Sequence, residues 1–551
     1  MAQVGSPPSL VPDKRSYMKR MVSVLSLLLL TASLFAADES SPQWIAVVAP
    51  AFKDAVKPLL DHRKSQGFHA TLVQTTDVLS TEEIRDGDGR KLRTHLNQLC
   101  RDHKGANYLL IVGAVEAANP ENAVRPVVPP LDGGVGRKKG QPSDNGYGCL
   151  DDGRMPAVPV GRFPARTEQE AVQMVRKTLA YEGDDKPGEW RHRLTVLAGI
   201  PAYNPFVDRL VESMAFARFD RLDPSWTGRA IYSNPSSRFS VPDEALRPQA
   251  LKYVEGGEAW TVYLGHSNAT GLWGGGAPYL DREDWSKLKI ARGAGVFATF
   301  GCNGCQFKGE RGEGYGLAAM RNPDGPVAVL GSHGVCFAAM VQLATDGLFE
   351  STFAGKSPER LGATWLAVKG GLAKGKIDDL SFALLDRVDG DSDIPQATQR
   401  LEHLEMFTLL GDPALKLAAT PADLTLKTED AASPGTTLTI HGTAPARLNG
   451  GLARVVAERP VSSTAEDLSP LPKEPGPERD RAMLRNHERA NGFVVASAEA
   501  TVKDGHFDVK LNLPANLPWP RLNVRAYAST DAEEALGVLA LDVQETAKPR
   551  P

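Results

Sequence analysis

The chain is poor in cysteine. Five occur in 551 residues, Cys100, Cys149, Cys302, Cys305 and Cys336. That is too few for a disulfide scaffold, and the odd count leaves at least one free thiol. No charge of one sign dominates. The formal net charge is −4, with no block of like charges, which excludes the electrostatic footprint of a nucleic-acid or polyanion binder. Beyond the amino terminus there is no apolar run long enough to cross a bilayer. No internal repeat is present.

What is there fits an ordinary globular protein. Apolar residues make up 42% and charged residues 24%, and the length predicts roughly two to four domains. Near the amino terminus, Lys19 and Arg20 precede an apolar run from Met21 to Ala37. A basic start, a short apolar core and small residues at Ala36 and Ala37 read as a secretory signal cleaved near that point, with residues 1–17 as an extension. An uncleaved anchor helix is the alternative. The signal predicts a secreted, periplasmic or cell-surface protein.

Past the signal, apolar runs and helical spacing alternate. Trp44 to Ala49, Tyr108 to Gly113, Val158 to Val160, Leu194 to Ile200, Trp260 to Leu264, Gly295 to Phe300 and Val327 to Leu330 read as buried strands. Helical patterns lie between them. Short apolar runs separated by helices predict a parallel sheet covered on both faces. This α/β region divides into two halves, 43–182 and 183–418, with a long Pro/Gly-rich loop at 114–160. From 420 to 548 the pattern becomes strands with partial alternation, which predicts a small β-sandwich. Residues 459–490, rich in Pro, Glu, Arg and Ser, are expected to be a mobile loop within it.

Two stretches carry chemistry. In Trp260-Thr-Val-Tyr-Leu-Gly-His-Ser267 a titratable residue follows a buried strand. In Gly295-Val-Phe-Ala-Thr-Phe-Gly-Cys-Asn-Gly-Cys305 a thiol does the same. The carboxyl ends of parallel strands share one edge, where α/β sheets present catalytic groups. His266 and Cys302 can therefore meet, although 36 residues separate them. A thiol needs a neighbouring base to become a nucleophile at neutral pH. Gly265 and Gly301 allow sharp turns and close approach. On spacing alone, an inert strand-end histidine and a buried inert cysteine remain open as well.

Leu264-Gly-His266 and Phe297-Ala-Thr-Phe-Gly-Cys302 resemble the two catalytic motifs of the gingipain-type cysteine peptidases of the caspase-like clan. Three further stretches resemble the same family in the same order. They are Ser143-Asp-Asn-Gly-Tyr-Gly148, Val158-Pro-Val-Gly-Arg-Phe-Pro-Ala-Arg166 and Phe407-Thr-Leu-Leu-Gly-Asp-Pro-Ala-Leu415; Gly325 to Ser332 follows the cysteine as expected. The resemblance covers roughly 44–418. It implies a caspase-like parallel-sheet catalytic region followed by an immunoglobulin-like β-sandwich, protein or peptide substrates, Cys302 as nucleophile and His266 as proton shuttle. The N–H groups of Ser267 and Cys302 would form the oxyanion hole. No cofactor is required, structural calcium is compatible, and a monomer is expected.

Two departures stand out. The family usually has Gly where this chain has Ser267, and often a carboxylate where it has Ala157, so this protein either lacks an orienting carboxylate or draws it from elsewhere, with Asp151 and Asp152 as candidates. Cys302-Asn-Gly-Cys305 is a C-x-x-C pair, which raises a masking disulfide or a periplasmic thiol oxidoreductase as alternatives. A metal site would need His333 and Cys336 to converge on the pair, and His333 is better read as a pocket-wall or core residue. Asp86-Gly-Asp-Gly89 and Asp389-Gly-Asp-Ser-Asp393 are incomplete calcium-loop patterns, read as solvated turns. A catalytically silent binding relative is the remaining alternative.

Overall fold

Ten strands of the computed structural model form one sheet. They are β1 (Gln43–Val48), β2 (His69–Gln74), β3 (Asn107–Val112), β4 (Val160–Phe163), β5 (Arg193–Ala198), β6 (Thr227–Tyr232), β7 (Glu258–Leu264), β8 (Ala294–Phe300), β9 (Ala328–Ser332) and β10 (Phe407–Leu410). Their order is β2-β1-β3-β4-β10-β9-β8-β7-β5-β6. The structure describes residues 41–116, 124–275, 278–377, 380–391, 393–461 and 468–544; the expected signal at 1–37 lies outside them. Among the described residues no helix is long and apolar enough to cross a membrane.

The parallel arrangement follows from the sequence. Strand β1 is buried along its whole length, as a strand covered on both faces must be. It pairs parallel with β2 and β3, and β5, β6, β7, β8 and β9 pair parallel in turn. Strand β10 is the exception: it runs antiparallel to β9 and meets β4 at the single pair Leu410 and Arg162. Alternate residues of β7, β8 and β9 serve different cores. Tyr263, Phe297 and Val329 pack on one side, and Val262, Ala298 and Leu330 on the other.

The second core is closed by helices α1 (Pro205–Phe219), α2 (Ala338–Thr352), α3 (Leu361–Lys374) and α4 (Leu380–Asp389). Helix α1 starts as sequence rules demand. Asn204 accepts from the N–H groups of Phe206 and Val207, and Pro205 occupies the first turn.

The three motifs outside the His266 and Cys302 stretches are structural. Arg162 is buried and grips Asp144 through Nε at 2.7 Å and Nη2 at 2.6 Å, while Nη1 donates to the Gly113 and Val128 carbonyls. Asp412 accepts from Arg63 at 2.8 Å and from Trp44 Nε1 at 3.1 Å, and Arg63 also holds Glu182. Gly161 lies so close to the Gly411 carbonyl that a Cβ would collide with it.

The carboxyl-terminal region has a three-stranded sheet (425–427, 437–443, 506–512) and a four-stranded sheet (494–501, 452–458, 521–529, 534–542), both antiparallel. They enclose one core that includes Leu438, Ile440, Val455 and Val524. His506–Asn512 alternates between exposed and buried residues, the half-buried strand pattern. One expectation is corrected. Within 459–490, residues Pro477–Asn491 form a helix. Proline in its first turn, Glu478 and Asp480 beside the amino end, and buried Ala482, Met483, Asn486, His487 and Ala490 account for it.

That helix grips the α/β region. His487 Nδ1 lies 2.8 Å from the Phe239 carbonyl, and its Nε2 lies 2.9 Å from Tyr253 Oη. Asn491 accepts from the Ala230 N–H at 2.8 Å and donates to the Ala230 carbonyl at 3.0 Å. Ala230 is in β6, the last strand of the sheet.

Candidate functional site

Strands β7 and β8 are neighbours, and their register sets Leu264 opposite Phe300. His266 and Cys302 each come two residues later, so both arrive at the same carboxyl edge. Gly265 turns the chain there with φ 148°, and a Cβ on it would lie 2.9 Å from the Gly199 backbone. Tyr263 Oη donates to the His266 carbonyl and contacts the Trp273 carbonyl at 2.9 Å, pinning the hairpin that follows.

A second set of bonds fixes Cys302. Ser267 Oγ donates to the Cys302 carbonyl at 2.8 Å, and Tyr315 Oη donates to Ser267 Oγ at 3.3 Å. Tyr315 is held in turn by Thr299 Oγ1 at 2.5 Å. A Cβ on Gly301 would collide with Ser267 Oγ and lie 2.9 Å from the Gly265 carbonyl. A glycine at position 267 would leave the Cys302 carbonyl without this strut.

The Cys302 thiol is lowered from 9.0 to about 7. The largest cause is the Cys336 thiol, which donates to the sulfur. Burial opposes it, and the Cys336 N–H, 3.4 Å from Sγ, and the His266 charge add to the lowering. Cys336 itself is pushed well up as the donor of that pair and by burial. His266 Nε2 lies 2.8 Å from the Pro201 carbonyl. A carbonyl only accepts, so Nε2 carries the proton and Nδ1 is left for the thiol. His266 and Cys302 influence one another through space without a hydrogen bond.

The carboxylate beside His266 is Asp389, at the end of α4, and not Asp151 or Asp152. Its charge interacts with His266, it accepts from the Ala338 N–H at 2.7 Å, and burial pushes it up. Asp151 and Asp152 are exposed, and Asp151 accepts from the Gly153 N–H. In the other candidate loop, Asp88 is held by Arg90. Among the described residues no group of three His, Cys, Asp or Glu could hold a metal ion.

Cys305 is fully buried in the core on the side of the sheet away from Cys302, and burial pushes its thiol far up. The thiol that faces Cys302 is Cys336, not Cys305. His333 is buried, its Nε2 lies 3.0 Å from the Glu405 carbonyl, and burial depresses it to about 3, so it stays neutral. Cys336, Pro201 and Asp389 are the site residues that sequence reading missed. For Cys336 a signal existed: it follows strand β9, which ends at the same edge as β8.

A thiol tuned to about 7 beside an imidazole, at the carboxyl edge of a parallel sheet, is the constellation of a thiol-dependent hydrolase. Over residues 37–418 the chain matches the model of Peptidase family C25, and it belongs to that family. It is 22% identical over 239 residues to Lys-gingipain of Porphyromonas gingivalis, which covers 42% of this chain and 12% of that protein. The Lys-gingipains of strains 381 and HG66 match equally. The chain thus spans about an eighth of the length of these relatives. The fold is similar to the crystal structure of the Arg-specific cysteine proteinase gingipain R, with a TM-score of 0.51 and 15% identity, covering 92% of this chain and 99% of that one.

Proposed function

We propose that this protein is an exported cysteine endopeptidase working through a Cys302–His266 dyad. The observation that carries the reading is the register of β7 and β8, which brings His266 and Cys302 to one strand edge, with the lowered Cys302 thiol as support. The thiolate attacks the scissile carbonyl. The N–H groups of Ser267 and Cys302 hold the resulting oxyanion, a contribution on the order of 100-fold or more per donor. The proton that His266 Nδ1 takes from the Cys302 thiol passes to the leaving amine, and water then releases the acyl group from Cys302. The Pro201 carbonyl orients the imidazole through Nε2, the role that a carboxylate at position 157 would otherwise serve. Residues 43–182 and 183–418 form the two parts of the catalytic region, and 420–548 an immunoglobulin-like sandwich. The protein acts as a monomer outside the cytoplasm.

The test is turnover of a mixed peptide library by the full chain, with and without reductant, beside Cys302→Ala. Cleavage that vanishes in the variant is expected. A folded protein that cleaves nothing in either condition would refute the proposal and favour a silent binding relative.

A further inference from the structure

A cleft of about 190 Å³ leads inward from Cys302 and His266, between α1, α2 and the face of the sheet. We propose that it receives the substrate side chain on the amino side of the scissile bond, and that this side chain is large and apolar, as in Phe, Leu or Met. The proposal rests on the peptidase reading above and adds its substrate class.

Size and chemistry both support it. A dry apolar cavity of about 150 Å³ binds benzene, so this cleft accommodates one aromatic ring or a branched aliphatic chain. Its walls include Met214, Phe216 and Phe219 of α1, Val341 and Phe349 of α2, and Leu385 of α4. Two carboxylates line it, and both accept hydrogen bonds from neutral donors. Glu212 accepts from Ser237 Oγ at 2.6 Å. Asp389 accepts from the Ala338 N–H at 2.7 Å and interacts with the Tyr203 hydroxyl. The one lining arginine, Arg218, is paired with Asp346 at 2.6 Å. A lysine or arginine side chain entering here would lose its hydration, and the two carboxylates it would meet are themselves pushed up by burial and already hydrogen-bonded. Beside the mouth, exposed Trp273 donates its N–H to the His266 carbonyl, and exposed Val335 precedes Cys336. Apolar surface therefore continues outward from the pair.

The test is kcat/KM of the full chain on peptides that differ only at that position: Phe, Leu, Met, Ala, Arg and Lys. The Phe, Leu and Met peptides are expected to exceed the Arg and Lys peptides by about 100-fold or more. Ala215 lines the cleft on α1. Ala215→Trp is expected to lower kcat/KM about tenfold more for the Phe peptide than for the Ala peptide. If that variant fails to fold, the substrate panel decides alone. Cys302-dependent cleavage that favours Arg or Lys would overturn the proposal and leave the peptidase reading standing. Cleavage of no peptide would overturn both.

Discussion

Replacing Cys336 by alanine should move the titration of Cys302 upward, by an amount that can be worked out. The lowering from 9.0 to about 7 corresponds to about 3 kcal/mol in favour of the thiolate. The Cys336 thiol is its largest source, while the Cys336 N–H and the His266 charge survive the change. A rise of about one unit follows. At pH 6 the thiolate fraction then falls about tenfold, but a more basic thiolate is about threefold more nucleophilic. Alkylation of Cys302 by iodoacetamide should therefore slow about threefold at pH 6 and quicken about threefold above pH 9, and the two pH profiles should cross. Mass spectrometry of the Cys302 peptide after timed labelling from pH 5 to 10 measures this. Coincident profiles, or a wild-type midpoint near 9, would refute the account of how the thiol is activated.

Asp412→Ala leaves Arg63 buried with Glu182 as its remaining acidic partner; urea unfolding should show a loss of about 3–5 kcal/mol. Gly301→Ala drives a methyl group into Ser267 Oγ, whereas Gly355→Ala meets nothing within 4 Å. The first should slow Cys302 alkylation and peptide turnover at least about tenfold, and the second should change neither. His192 and His333 are depressed to about 3 and His403 to about 4, all chiefly by burial. The unfolded chain therefore binds protons that the native state refuses. Stability should be level from pH 8 to 7 and fall as pH drops from 6.5 towards 3, by roughly 1.4 kcal/mol per histidine per unit. Equal urea midpoints at pH 7 and 5 would count against neutral burial.

The parts legible in the sequence were those in which local pattern and fold coincide. Trp44 to Val48 and Val296 to Phe300 are short apolar runs between helices, and they became central parallel strands. His266 and Cys302 were found by the same logic, since a strand's end is visible along the chain. What escaped depended on distant partners. Four residues, Phe407–Leu410, enter the middle of the sheet between β4 and β9, and nothing in Phe-Thr-Leu-Leu announces that position. Asp389 looked like a turn residue because Gly390 and Asp391 follow it, and only the packing of α4 brings it to His266. Helix Pro477–Asn491 was hidden by its composition, for its buried face includes Asn486 and His487 as well as apolar residues. Their partners, Ser469 for Asn486 and Phe239 and Tyr253 for His487, come from elsewhere in the chain.

Asn491 presents its side-chain amide to Ala230 as a neighbouring strand would present a peptide group, one acceptor and one donor. Arg525 secures Thr227 on the same strand. An open margin of a ten-stranded sheet is a template for a second copy of the same sheet. Shortening the chain to residue 418, where the family resemblance stops, would keep the reactive thiol and its histidine and strip that margin bare. Removing the trailing β-rich region should therefore raise self-association through that margin, and light scattering of the shortened chain beside the full one measures it.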